Sequence, residues 1–109
     1  MTDRIQSVEA FPLRIPRDVP YLGALEQGVT VNEKGCFVRP GNRTVYSTSD
    51  HCVLVRLTTA GGLSGWGECV SVVAPQAATV IIRELLGPLV VGRDPMDSTA
   101  IFEDLYDAM

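Results

Sequence analysis

The chain has 109 residues, 46% of them hydrophobic and 20% charged, with 13 acidic against 9 basic side chains for a net charge of -4. That length holds one domain with a modest core, burying roughly 65% of its unfolded surface, and no apolar run approaches the ~20 residues of a membrane helix. With no basic stripe and few aromatics, the charge pattern argues against nucleic-acid binding and leaves small molecules or protein surfaces as partners.

The first ten residues, "MTDRIQSVEA", carry charges where an export signal needs an apolar stretch, so a cytoplasmic protein is expected. Residues 4–15 then alternate loosely, with Ile5, Phe11, Leu13 and Ile15 on one side and Arg4, Pro12 and Arg14 on the other, as in an edge strand closed by Pro16. Residues 17–48 show neither helical nor strand period. Loops this long inside a compact domain are usually functional lids, binding loops or disordered segments, and Tyr21, Leu22, Phe37 and Tyr46 speak against a solvated linker. Within it, "VTV" and "CFV" could pair as a short hairpin.

Residues 50–59 alternate more cleanly, placing Val53, Val55 and Leu57 on one face. "AGG" at 60–62 supplies a tight turn, so Leu63 to Val70 should fold back as a third strand of an antiparallel meander. After Pro75 the period changes: Ala78, Ile81, Ile82, Leu85 and Leu86 trace an amphipathic helix that Gly87-Pro88 should end. Asp94 as cap, Pro95 at the first helical position and Asp97 in the first turn announce another helix, with Ile101, Phe102, Leu105 and Met109 on its apolar side. No stop signal follows, so the pattern is expected to be a helix cut short. The fold class is α+β.

Little in these residues forms a self-contained active site. Cys36, Cys52 and Cys69 are odd in number and far apart, which fits reduced, partly buried thiols and neither a disulfide framework nor zinc. His51 and Cys52 point to opposite faces of a strand, so they are not a catalytic pair, and His51 reads as structural. Glu103, Asp104 and Asp107 read as a solvated helix face and not a cation cage. "AGGLSGWG" lacks the lysine and hydroxyl of a phosphate loop. Glu68, near Trp66, is either a structural partner or a desolvated acid, and Arg43 in "GNRTVYS" is either a surface residue or a two-pronged clamp for a carboxylate. The glycines of "GWGE" are expected to admit a close backbone while Trp66 fills the space between sheet and helices.

The meander with "GLSGWGEC" as its third strand, followed by "LLGPLVVGRDP" and "DSTAIFEDLYDAM", resembles the N-terminal capping domain of the enolase superfamily, in its mandelate racemase and muconate-lactonizing enzyme group. The resemblance runs over the whole chain, 1–109, and is strongest from Asp50 onward. It implies a missing TIM-barrel partner that carries the bases and the carboxylates for Mg2+, and hence a magnesium-dependent racemase, cycloisomerase or sugar-acid dehydratase that removes a proton next to a carboxylate. The chain alone would then be inactive, with no catalytic residue or metal ligand of its own, and the whole protein is expected to be a homo-oligomer. By position, residues 17–48 match the lid, with Tyr21, Leu22, Arg43, Tyr46 and Ser47 as substrate contacts and Trp66 and Glu68 at the interface with the barrel. The alternative is a free-standing α+β module that binds a ligand or a protein through its long loop.

Overall fold

The computed structural model describes residues 3–109. In chain order it contains β1 (Ile5–Pro16), β2 (Cys36–Val38), β3 (Val45–Ser47), β4 (Ser49–Thr59), β5 (Ser64–Val70), α1 (Pro75–Val80), α2 (Gly87–Val90) and α3 (Ser98–Ala108), with a π-helical turn, Ile81–Leu86, joining α1 to α2. The three long strands form an antiparallel sheet in the order β1-β4-β5, while β2 and β3 make a separate two-stranded hairpin within residues 17–48. The α+β meander expected from the alternation is therefore present. No helix is long and apolar enough to cross a membrane among the described residues.

The β4–β5 turn forms as its glycines require: Gly62 has φ 95° and donates to the Thr59 carbonyl at 3.0 Å, and the Thr59 amide donates to Leu63 at 2.8 Å. This turn sets the register, pairing Val55 with Gly67 and Arg56 with Trp66. Because side chains alternate between faces, Val53, Val55 and Leu57 look toward the helices, and Val53 is fully buried. Trp66 lies with Arg56 on the opposite face and is 59% exposed, so it does not fill the space between sheet and helices as expected. Among the described residues, a Cβ at Gly65 or Gly67 would meet no atom within 4 Å beyond its chain neighbours, so no other described backbone approaches them. Those glycines instead border an apolar groove of about 500 Å³, together with Ile82, Leu86, Phe102 and Leu105.

Strand β1 departs from simple alternation. Ile5 pairs with Thr59 and Ser7 with Thr58, so one extra residue bulges between them. The bulge puts Ile5, 3% exposed, on the helix-facing side with Val8 and Ala10, while Phe11, Leu13 and Ile15 fall on the other face. The expected grouping of all four on one side fails at that extra residue.

Gly87-Pro88 does not stop the helix. Gly87 keeps helical angles, φ -54° and ψ -48°, and its amide bonds to Ile82 O, five residues back. The wider turn accommodates Pro88, which has no amide to donate, and helical structure continues to Val90. It also rotates the apolar stripe, so Leu85 is 54% exposed while Gly87 and Val90 are buried. Gly87 packs against β1, and a Cβ there would stand 2.9 Å from Ile82 O and 3.5 Å from Val8 Cβ.

The "GRDP" segment ties the last helix to the sheet. The Ile5 amide donates to Arg93 O at 2.9 Å, the Gly92 amide donates to Ile5 O at 2.8 Å, and the Arg93 guanidinium reaches Asp104 at 2.8 Å. Asp94 closes a turn instead of capping α3: its carboxylate accepts from the Met96 amide and its carbonyl from the Asp97 amide, so the helix begins at Ser98 with Asp97 at the cap position. The start is thus shifted by the turn that Pro95 nucleates.

Candidate functional site

Within residues 17–48, "CFV" pairs with "VYS" and not with "VTV": Cys36 faces Ser47, Phe37 faces Tyr46 and Val38 faces Val45. The Asn32 carboxamide oxygen accepts from the amides of Lys34 and Cys36, and Gly35 takes φ 82°, so the chain turns directly into β2 and leaves residues 29–31 outside the pairing. The hairpin carries Tyr46 between two other rings, with centroids 6.2 Å from Tyr21 and 6.3 Å from Phe37. Asn42 Nδ2 donates to the Tyr46 hydroxyl at 2.7 Å, which leaves the phenolic proton free for another acceptor.

Where residues 17–48 meet the ends of β1, β4 and β5 lies a cavity of about 420 Å³ whose lining includes Tyr21, Tyr46, Ser47, Asp50, His51 and Glu68. Three of the residues expected to contact substrate, Tyr21, Tyr46 and Ser47, thereby line one cavity, and Glu68 joins them. Leu22 and Arg43 are not on its wall. Leu22 has φ 71° and is exposed; Arg43 has φ 58° in the β2–β3 turn, where its amide donates to Arg39 O at 2.8 Å. Trp66 sits elsewhere, its ring tilted at 35° to that of Phe11 with centroids 5.9 Å apart and the Arg56 guanidinium 5.3 Å from its centroid.

Ser47 is 4% exposed, and its hydroxyl oxygen lies 3.0 Å from His51 Nε2 while accepting from the Ser49 amide. His51 Nδ1 is buried with no hydrogen-bond partner among the described residues. A serine–histidine pair with no carboxylate orienting the ring lacks the third member of a nucleophilic triad. Hydroxyls, imidazole and carboxylates around a concave wall suit binding and orienting a polar molecule. Asp50 is itself engaged by Arg17, whose Nη1 lies 3.2 Å from Oδ1, joining the segment after β1 to β4.

Sequence reasoning passed over Arg39. It is 5% exposed and donates to the carbonyls of Tyr21, Gly23 and Ala24 and to the Glu26 carboxylate over 2.6–3.1 Å. Its hydrogen bond holds the Glu26 carboxyl below the usual glutamate range. The only signal in the sequence was an arginine directly after the apolar "CFV" run.

The model of the mandelate racemase / muconate lactonizing enzyme N-terminal domain matches residues 27–108. Among solved structures, a member of the enolase superfamily from Agrobacterium tumefaciens is 53% identical over 100% of this chain, with a TM-score of 0.90. A candidate isomerase from Sinorhizobium meliloti is 49% identical over 100% of the chain at 0.91. Another from that organism, in an open loop conformation, is 45% identical over 99% at 0.86. This chain spans 28%, 28% and 26% of those three proteins, respectively. No curated protein matches it. The chain belongs to the enolase superfamily, as an N-terminal capping domain of its mandelate racemase and muconate lactonizing enzyme group.

Proposed function

We propose that this domain covers the mouth of a TIM barrel and selects the substrate of an enzyme that removes a proton next to a carboxylate, as a racemase, cycloisomerase or sugar-acid dehydratase. The observation that carries the proposal is the convergence of Tyr21, Tyr46 and Ser47 from the lid with Glu68 from the sheet on one cavity. In that role the hydroxyls of Tyr46 and Ser47 orient the bound molecule, and the rings of Tyr21 and Tyr46 keep water from it. Leu22 and Arg43 stand in the same lid and join the substrate contacts when it closes, Arg43 on the carboxylate. Trp66 and Glu68 belong to surfaces turned toward the barrel. A relative solved in an open loop conformation supports a lid that moves.

Magnesium, implied by the family, has no cage in this chain: among the described residues no group of three or more His, Cys, Asp or Glu could hold a metal ion. The ion and the catalytic base are assigned to the barrel, and self-association and a cytoplasmic location belong to the same proposal. A free-standing binding module is disfavoured by the thin core, in which, among the described residues, Val53 is the only sizeable side chain buried completely. The test is to incubate the protein containing both domains with sugar acids in D2O, with magnesium or a chelator, and follow exchange of the proton next to the carboxylate. Magnesium-dependent exchange, with Tyr46→Phe and Ser47→Ala altering KM between acids, is expected. Turnover indifferent to chelation, or selectivity untouched by both substitutions, would overturn the proposal.

A further inference from the structure

We infer that Arg39 is the positioning residue of the lid, a buried guanidinium that gathers the main-chain carbonyls of Tyr21, Gly23 and Ala24 and so holds Tyr21 against Tyr46 at the cavity. The inference rests on the lid role proposed above. The contacts define a socket: Nη2 donates to Tyr21 O at 2.7 Å and Gly23 O at 2.6 Å, and Nη1 donates to Ala24 O at 3.1 Å and Glu26 Oε1 at 2.8 Å. The other side of the guanidinium lies 5.2 Å from the centroid of Phe37, the ring that also neighbours Tyr46.

The socket is shaped by an unfavourable backbone. The Gly23 amide donates to Pro20 O at 2.9 Å, closing a turn in which Leu22 takes φ 71° and Gly23 follows at φ 103°. A leucine in the left-handed region has no intrinsic reason to stay there, since that position of a turn favours glycine. Converging carbonyls also repel one another unless a cation lies between them. Arg39 supplies that cation, and its planar fork serves acceptors in different directions at once, which a lysine ammonium cannot match. Arg39 also fastens its own hairpin, donating its amide to Thr44 O and accepting from Arg43 through its carbonyl. One side chain therefore joins the two halves of the lid.

Amide hydrogen exchange tests this. The reporters are Gly23 and Val29, whose amides donate to Pro20 O and Glu26 O, and the reference is Val53 and Val55 in the sheet. In Arg39→Lys, exchange at Gly23 and Val29 should rise by about tenfold or more, the change expected for loss of one charge-assisted hydrogen bond, with the sheet unchanged. In Arg39→Ala, added guanidinium chloride at millimolar concentration should restore protection at those amides. Unchanged lid exchange in Arg39→Lys overturns the inference, and so does a parallel rise in lid and sheet, which would make Arg39 a residue of general stability. If Arg39→Lys loosens only the lid while Tyr46→Phe and Ser47→Ala leave selectivity intact, Arg39 still organises the loop and it is the substrate role of the lid that fails.

Discussion

Ser47 and His51 meet across the corner between β3 and β4, hydroxyl to Nε2 at 3.0 Å, although the two strands belong to different sheets. The same hydroxyl accepts the Ser49 amide, so one buried atom fixes both the corner and the ring. Ser47→Ala leaves the amide and the imidazole nitrogen without their partner and should lower stability by about 1–3 kcal/mol. Thermal unfolding of the variant against the parent measures it. A stability loss within error would mean that the corner holds without the serine.

Gly87→Ala should be destabilising although alanine is the better helix former. A Cβ at Gly87 would lie 2.9 Å from Ile82 O, a main-chain atom that cannot swing aside, with Val8 of β1 behind it. Overpacking of this kind costs about 1–3 kcal/mol, more than the propensity gain of about 1 kcal/mol. Urea unfolding gives the answer, and a more stable variant would show that the helix is free to lift from the strand.

The sheet was legible where a period of two met a recognisable turn, as in Val53, Val55 and Leu57 before "AGG". It misled where one residue alters parity: the bulge near Ser7 moves Ile5 to the face opposite Phe11, and only pairing with Thr58 and Thr59 reveals it. The side occupied by Trp66 follows from Arg56 standing opposite it, a register that glycine content alone does not give. The helix ran past Pro88 because a π-helical turn removes the need for its amide, which no residue type announces. Tyr21, Tyr46 and Ser47, chosen by position along residues 17–48, line one cavity. Arg39 could not be chosen that way, since most of its partners are carbonyls, which every residue has. His51 looked like an isolated strand histidine because its partner lies around a corner.

Trp66→Ala discriminates between two places for the ring. A tryptophan wedged between sheet and helices would cost about 3–5 kcal/mol on truncation. On the outer face, tilted against Phe11, under Arg56 and 59% exposed, the loss should be nearer about 1 kcal/mol. Arg56 would retain its 2.7 Å pair with Glu9, which limits the damage. Equilibrium unfolding followed by circular dichroism is the suitable measurement, since the substitution removes the only tryptophan.

Acid should loosen the lid before the sheet. The hydrogen bond from Arg39 lowers the Glu26 pKa in the folded chain, so its contribution is present above the usual glutamate pKa and is lost as pH falls through the lowered value. Exchange at the Val29 amide, followed downward from neutral pH and corrected for the intrinsic rate, should show extra opening in that acidic window. In Glu26→Gln the pH-dependent part should vanish. Identical profiles for the two proteins would remove Glu26 from the control of the lid.

Arg43→Gly separates the two roles that an arginine in the β2–β3 turn can have. At φ 58° the side chain occupies the left-handed region, which costs a non-glycine residue about 1–2 kcal/mol, so glycine should hold or raise the melting temperature. The proposed clamp on a carboxylate depends on the guanidinium, and its removal should weaken substrate use by about 1–3 kcal/mol in kcat/KM. A stable variant with impaired kcat/KM for carboxylates supports the clamp. A stable variant with unchanged kinetics makes Arg43 a turn residue only, in keeping with its place off the cavity wall, and moves recognition of the substrate to Tyr21, Tyr46 and Ser47.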